Sequence, residues 1–231
     1  RGEMVLCMDA DSILEPQTLR QAIRHFADPK VGAVAGNVKV ANRNNILTRL
    51  QALEYIQGLN LVRASQAALG RVTVIPGPVG MFRRRVLEQL GGYRDNTFAE
   101  DCEITLRVML AGWRITYEDR AVAWTEAPET LSAFFKQRYR WSRGILQAVL
   151  RHKRQLVRPF PDVANWLMLW YQVFEGTVLP AMNLAGVGLF LLAALSGSIS
   201  SLIVLWWAQL TLLDMVVAFY CVAAEGENLR L

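Results

Sequence analysis

The chain has 231 residues, 53% of them apolar and 19% charged, and a net charge of +5. That length suffices for one α/β domain plus something smaller, and the apolar share exceeds that of an ordinary soluble domain. The positive balance raises nucleic-acid binding, but the basic cluster Arg151, Lys153, Arg154 and Arg158 lacks the aromatic interleaving on which single-strand binders stack bases. An anionic lipid surface explains it better.

The chain opens on Arg1-Gly2-Glu3 without an initiator Met, so a preceding N-terminal part is expected. Met4-Val5-Leu6-Cys7-Met8 is a continuous apolar run. It reads as a strand buried on both faces, as at the centre of a mostly parallel sheet. Residues 12–26 read as a turn and helix starting near Glu15-Pro16, and 31–40 as a strand broken by Gly32 and Gly36. A helix is expected over 47–69 and a strand over 72–75, followed by the glycine-bearing loop Gly77-Pro78-Val79-Gly80. Residues 84–90 look helical up to Gly91-Gly92, and 100–111 form a helix stopped by Gly112. Short strands follow at 114–118 and 121–124, then a long helix over 130–150. Strands alternating with helices predict an α/β fold with a mostly parallel sheet.

The tail differs in kind. From residue 164 to 224 only Glu175 and Asp214 carry formal charge. Runs 177–195 and 199–224 are each long enough to cross a hydrocarbon core of roughly 30 Å. Ser196-Gly197-Ser198 between them suits a tight hairpin. A pair of buried core helices is the other reading, but two such runs in succession rarely fit a domain this small. Positive residues just before the tail place 1–162 in the cytosol and 163–231 in the membrane, which predicts a multi-pass protein of the cytoplasmic (inner) membrane. Cys7, Cys102 and Cys221 are far apart and without metal-ligand spacing, so reduced thiols are the default.

Four groups of residues can carry chemistry. Asp9 and Asp11 stand at the carboxyl end of the first strand, the edge where open α/β sheets bind ligands. Two such carboxylates can share a hard divalent cation that holds a diphosphate, or can merely cap the next helix. Glu100-Asp101 opens a helix, which serves dipole compensation or provides a general base at Asp101. A helix N-terminus lowers a carboxyl pKa, so burial would have to offset it. Gln137, Arg140 and Trp141 share one helix face, suited to a diphosphate and to the C–H face of a sugar, or to a lipid boundary. The Gly77, Pro78 and Gly80 loop admits close approach of a substrate to backbone, or is an ordinary turn.

In this order, Asp9-x-Asp11, Glu100-Asp101 and Gln137-x-x-Arg140-Trp141 resemble the motifs of family 2 processive glycosyltransferases, which include cellulose, chitin and hyaluronan synthases. The resemblance covers nearly the whole chain. The stretch 121–131 before Gln137-Arg138-Tyr139-Arg140-Trp141 is most similar to the poly-β-1,6-N-acetylglucosamine synthase branch. The resemblance implies a GT-A fold, a UDP-sugar donor and a growing polysaccharide as acceptor. It implies Mg2+ or Mn2+ at Asp9 and Asp11, and Asp101 as base beside Glu100. Gln137, Arg140 and Trp141 would then lie at the diphosphate and acceptor site, with the Gly77, Pro78 and Gly80 loop near the acceptor. Other subunits of an export complex are conceivable partners. The family's uracil-binding first half precedes the Asp-x-Asp motif and is not in this sequence, so the chain alone is expected to bind nucleotide poorly. The alternatives are a non-processive family 2 transferase acting on a lipid carrier, for which the Gln-x-x-Arg-Trp motif is unusual, and a catalytically incompetent membrane-tethered module.

Overall fold

The structure is a computed structural model that describes residues 2–94, 97–158, 162–197 and 201–224. Ser198 and Ile199, expected at the hairpin, and residues 225–231 of the expected membrane region lie outside the described residues. Five strands form one sheet: β1 (Met4–Cys7), β2 (Ile13–Leu14), β3 (Val31–Val40), β4 (Gly80–Arg83) and β5 (Arg114–Thr125), in the order β1-β4-β3-β5-β2.

The α/β class and the helical C-terminal part agree with expectation, but the sheet is mixed rather than mostly parallel. Only β3 and β5 pair in parallel, and the other three pairings among the described strands are antiparallel. The decisive element is β4, which the sequence presents as the end of a glycine loop. It inserts between β1 and β3 and runs against both. Alternation and apolar runs report burial, and neither reports strand direction. Accordingly the fully buried strand is β3, whereas β1 is half-buried and forms an edge of the described sheet. Gly32 and Gly36 do not break β3; the register against β5 shifts at each of them, as at a bulge.

Residues 72–75 do not form the expected strand. Apart from one bridge between Arg71 and Ile115, polar side chains satisfy this backbone. Gln66 Oε1 accepts from Thr73 N, Ile75 N donates to Thr105 Oγ1, and Arg63 Nε and Gln172 Nε2 donate to the carbonyls of Val74 and Thr73. Buried peptide groups must be paired, and here three helices supply the partners that a neighbouring strand would.

Those helices belong to the layer over the sheet. The expected helix at 47–69 is α2 (Ile46–Glu54), a π-helical turn (Tyr55–Asn60) and α3 (Leu61–Ala68). It starts at a reciprocal cap: Asn45 Oδ1 accepts from Thr48 N, and Thr48 Oγ1 accepts from Asn45 N. With α1 (Thr18–Ile23), α4 (Arg84–Leu90) and α5 (Glu100–Leu110) preceding it, the long helix α6 spans Leu131–Arg151. The main core joins Ala33, Ala35, Phe82 and Ile115 of the sheet to Ile104, Leu106 and Leu169 of the helices, all fully buried.

After a short α7 (Lys153–Leu156), one continuous helix is built from α8 (Val163–Val173), a second π-helical turn (Phe174–Val178) and α9 (Leu179–Leu195). Asp162 caps it by accepting from the N–H groups of Ala164 and Asn165. Its first turns seat Leu169 in the core; beyond them, Leu184 is 76% and Leu195 87% exposed. The last helix, α10 (Ser201–Ala224), stacks Trp207 on Phe190 at 5.2 Å and rests Cys221 and Val222 on Ile56. Segments Val163–Leu195 and Ile203–Ala224 are long and apolar enough to cross a membrane, and their most apolar windows are unburied, which buried core helices would not be.

Arg107, ion-paired within α5, ties that helix to the end of α4. Arg107 Nε donates to both oxygens of Glu103 at 3.0 and 2.8 Å, and its Nη groups donate to the carbonyls of Leu90 and Gly92. Arg107→Met leaves a buried carboxylate and two carbonyls unpaired, so a loss of about 3–5 kcal/mol is expected. Thermal unfolding of the detergent-solubilised protein tests this, and an unchanged melting temperature would refute it.

Candidate active site

Asp9 and Asp11 follow β1 in a turn closed by Ser12 N donating to the carbonyl of Asp9, and both are exposed at the mouth of a cavity of about 790 Å³. The same cavity is lined by Gly77, Pro78, Glu100, Asp101, Gln137, Arg140 and Trp141. Every sequence-derived candidate except Gly80 thus meets in one place. Gly80 lies within β4, paired with Cys7 and Ala35, where a Cβ would fall 2.6 Å from Ile75 Cγ2.

Gly77 shapes the acidic end. A Cβ there would sit 2.8 Å from Asp9 Oδ1 and 2.9 Å from Oδ2, so only glycine lets this loop touch the carboxylate. Partial burial against the loop, then the charges of Asp11 and Glu100, raise the Asp9 pKa, and Arg140 opposes them. These four groups therefore share one electrostatic neighbourhood, with more negative than positive charge. Among the described residues no group of three or more His, Cys, Asp or Glu side chains is arranged for a metal. Two hard carboxylates are nonetheless what Mg2+ or Mn2+ takes from a protein when phosphate oxygens and water complete its shell. The donor set fits such an ion on those terms.

Asp101 starts α5. Its Oδ1 accepts from Cys102 N at 2.7 Å, a bond that favours the ionised form. Burial outweighs that bond. It pushes the Asp101 pKa up to about 6, with Glu100 and Asp9 adding to the rise and Arg63 opposing it. Enclosure in the cavity thus outweighs the one hydrogen bond that favours the ionised carboxylate.

Gln137, Arg140 and Trp141 come from α6, which Thr130 caps by accepting from Ala133 N. Gln137 Oε1 is buried without a hydrogen-bond partner among the described residues, an acceptor left for a ligand. Trp141 tilts against Tyr55 at 6.4 Å, and the Arg138 guanidinium lies over the indole 4.4 Å from its centre. At most one face of Trp141 is therefore open to a sugar.

Two contributors escaped the motif reading. Gly144 is one turn beyond Trp141, and a Cβ there would lie 2.5 Å from Ala99 N and 2.8 Å from Phe98 C. It brings α6 onto the backbone just before Glu100-Asp101. The signal was available, since a mid-helix glycine costs about 1 kcal/mol relative to alanine and asks for a packing reason. Arg63 is the other, a buried side chain of α3 that lines the cavity and donates from Nη1 to Asn60 Oδ1. No sequence feature separates it from a solvent-facing arginine.

The sequence profile described as "Glycosyl transferase family group 2" matches residues 4–222. The chain belongs to this family. Among curated relatives, poly-beta-1,6-N-acetyl-D-glucosamine synthase of Staphylococcus aureus (strain COL) is 35% identical over 150 residues, which is 64% of this chain and 36% of that protein. The synthase of that name from Staphylococcus epidermidis (strain ATCC 35984) is 33% identical over the same shares. The chain thus spans about a third of the length of these relatives, 36% in each case. A mannosyltransferase of Pyrobaculum calidifontis, solved with GDP-Man and Mn2+, has a TM-score of 0.53 and 20% identity, covering 100% of this chain and 63% of that one. That likeness gives the family member its fold, GT-A.

Gly144→Ala forces the methyl into the 98–99 backbone, so destabilisation of about 1–3 kcal/mol is expected. Hydrogen exchange should speed up at the first turn of α5 while α1 is unaffected. Unchanged exchange at α5 would show that the close contact is dispensable.

Proposed function

We propose that this chain supplies the acceptor side and the metal edge of an inverting, processive transferase. The reaction moves N-acetylglucosamine from a UDP-sugar to a growing β-linked polysaccharide. The observation that carries the reading is Asp101, a carboxyl with a pKa of about 6 in a cavity also lined by Asp9, Gln137, Arg140 and Trp141. The sugar follows from the printed name of the staphylococcal relatives.

In this mechanism Asp101 takes the proton of the acceptor hydroxyl, whose oxygen attacks the anomeric carbon as the bond to UDP breaks. A pKa near 6 serves that role well, because such a base is ionised at neutral pH yet stronger than an ordinary carboxylate. Arg140 offers a guanidinium to the diphosphate. Gln137 Oε1 accepts from a hydroxyl or amide of the substrate, and the open face of Trp141 supports the acceptor ring. A divalent cation bound by Asp9 and Asp11 would neutralise charge on the leaving diphosphate. Residues 1–162 then form the cytosolic unit and 163–231 the membrane region, with the basic stretch 151–158 on the cytosolic side. A polymer made at this interface leaves through the membrane.

Asp101→Asn, in the protein that carries this chain, is expected to bind the UDP-sugar and to transfer nothing. The base must be ionised, so wild-type kcat/KM should rise with pH through about 6 and level off above it. The sign for stability is opposite. A carboxyl whose pKa is raised on folding contributes stability below its ordinary value of 3.8, and that contribution is lost as pH rises through about 6. Asp101→Asn should therefore melt higher than wild type at pH 7. Polymer synthesis by the variant, or a flat pH profile, would overturn the assignment.

Gly77→Ala addresses the metal edge. The methyl displaces the Asp9 carboxylate, so Mn2+ affinity read by electron paramagnetic resonance should weaken about tenfold or more, equivalent to roughly 1.4 kcal/mol. Equal affinity in wild type and variant would remove Asp9 from the metal site.

A further inference from the structure

Arg138 lies inside the Gln137-to-Trp141 segment, yet the proposed mechanism gives it no task. Its surroundings are unusually specific. The guanidinium is stacked over two rings of its own helix, 4.8 Å from the centre of Phe134 and 4.4 Å from that of Trp141. Its Nη2 donates to Glu54 Oε2 at 2.6 Å, across from α6 to the last residue of α2. Its Nε–H is buried without a hydrogen-bond partner among the described residues, so the two rings and the one carboxylate determine where the group sits.

Glu54 and Tyr55 are consecutive, at the junction where α2 gives way to its π-helical turn. Both bear on the same indole. Tyr55 packs its own ring against Trp141 at 6.4 Å with the planes at 43°, while Glu54 acts through the Arg138 plane on one indole face. Glu54, Tyr55, Arg138 and Trp141 all line the cavity that holds Asp101. A planar guanidinium held by a carboxylate and stacked on a ring restricts that ring's rotation about both side-chain torsions, which lysine's point charge does not do.

We infer that Glu54 and Arg138 form a clamp that fixes the plane of Trp141 and closes one of its faces, leaving a single pre-oriented platform for the acceptor sugar. Arg138 is a positioning residue in this scheme, and the scheme rests on the acceptor role proposed for Trp141. Fixing the ring beforehand removes the ordering cost that each incoming sugar would otherwise meet, and acceptor binding is where that saving appears. Donor binding and the proton transfer to Asp101 do not depend on it.

The clamp and the acceptor role can be tested apart. Hydroxyl-radical footprinting with mass spectrometry reads the oxidation rate of Trp141 without any substrate. In the protein carrying this chain, Arg138→Met should raise that rate several-fold and Glu54→Gln should raise it less, with Trp113 unchanged as an internal control. A Trp141 rate equal to wild type in both variants overturns the clamp. With UDP-N-acetylglucosamine, Arg138→Met should lower elongation about tenfold while donor hydrolysis stays within twofold of wild type, and Arg138→Lys should restore less than half of the loss. The Glu54→Gln/Arg138→Met pair should be no worse than Arg138→Met alone, because both changes remove one device. Parallel loss of hydrolysis and elongation, or additive effects, would overturn the inference. If wild type consumes no UDP-sugar, the proposed function fails, and footprinting still decides the clamp.

Discussion

Beside the cavity, α6 lies directly against Phe98 and Ala99 with no side chain of its own between them. Gly144 makes that contact, and Trp141, Arg140 and Gln137 follow one and two turns back along the same face. A helix rises about 5.4 Å per turn, so seating one turn on the loop places the next two over whatever the loop leads into. It leads into Glu100-Asp101 at the start of α5. One close approach therefore registers the aromatic and cationic side of the site against its acidic side.

The acidic side is costly. Asp11 and Glu100 both repel Asp9, and Asp101 is enclosed enough for burial to outweigh the backbone hydrogen bond that favours its ionised form. A fold keeps such an arrangement only when the surroundings are rigid. Polar side chains from α3, α5 and α8 supply that rigidity by bonding the backbone of 72–75, which leads directly to Pro76-Gly77 beneath Asp9. Both π-helical turns, Tyr55–Asn60 and Phe174–Val178, also contribute residues to the cavity wall. Such turns displace side chains from the regular helical positions and are frequent at functional sites.

The apolar helices are tied to this site rather than merely appended to it. Leu169 anchors the first of them in the core, and Glu175 and Gly176 of the same helix reach the cavity wall. The second returns to the domain, where Asp214 accepts from Gln57 Nε2 at 2.7 Å and Cys221 and Val222 cover Ile56. Gln57 and Ile56 belong to the π-helical turn that also carries Tyr55, so the last helix touches the outside of the wall whose inside faces Trp141.

By itself the sequence determined which residues were candidates for one site and which segments are apolar enough to cross a membrane. Asp9, Asp11, Glu100, Asp101, Gln137, Arg140 and Trp141 were legible because their types and order are unusual, and the helices because their periodicity depends on local backbone geometry alone. Tertiary structure decided what depends on neighbours. Strand direction was one such matter, since an apolar run looks alike in either sense, and the placement of β4 turned a parallel expectation into a mixed sheet. The raised pKa of Asp101 was another, because burial is a property of the surroundings and not of the residue. The contacts of Gly77, Arg138 and Gly144 were a third. Each is a close approach between segments distant in sequence, and distance through the chain says nothing about distance through space.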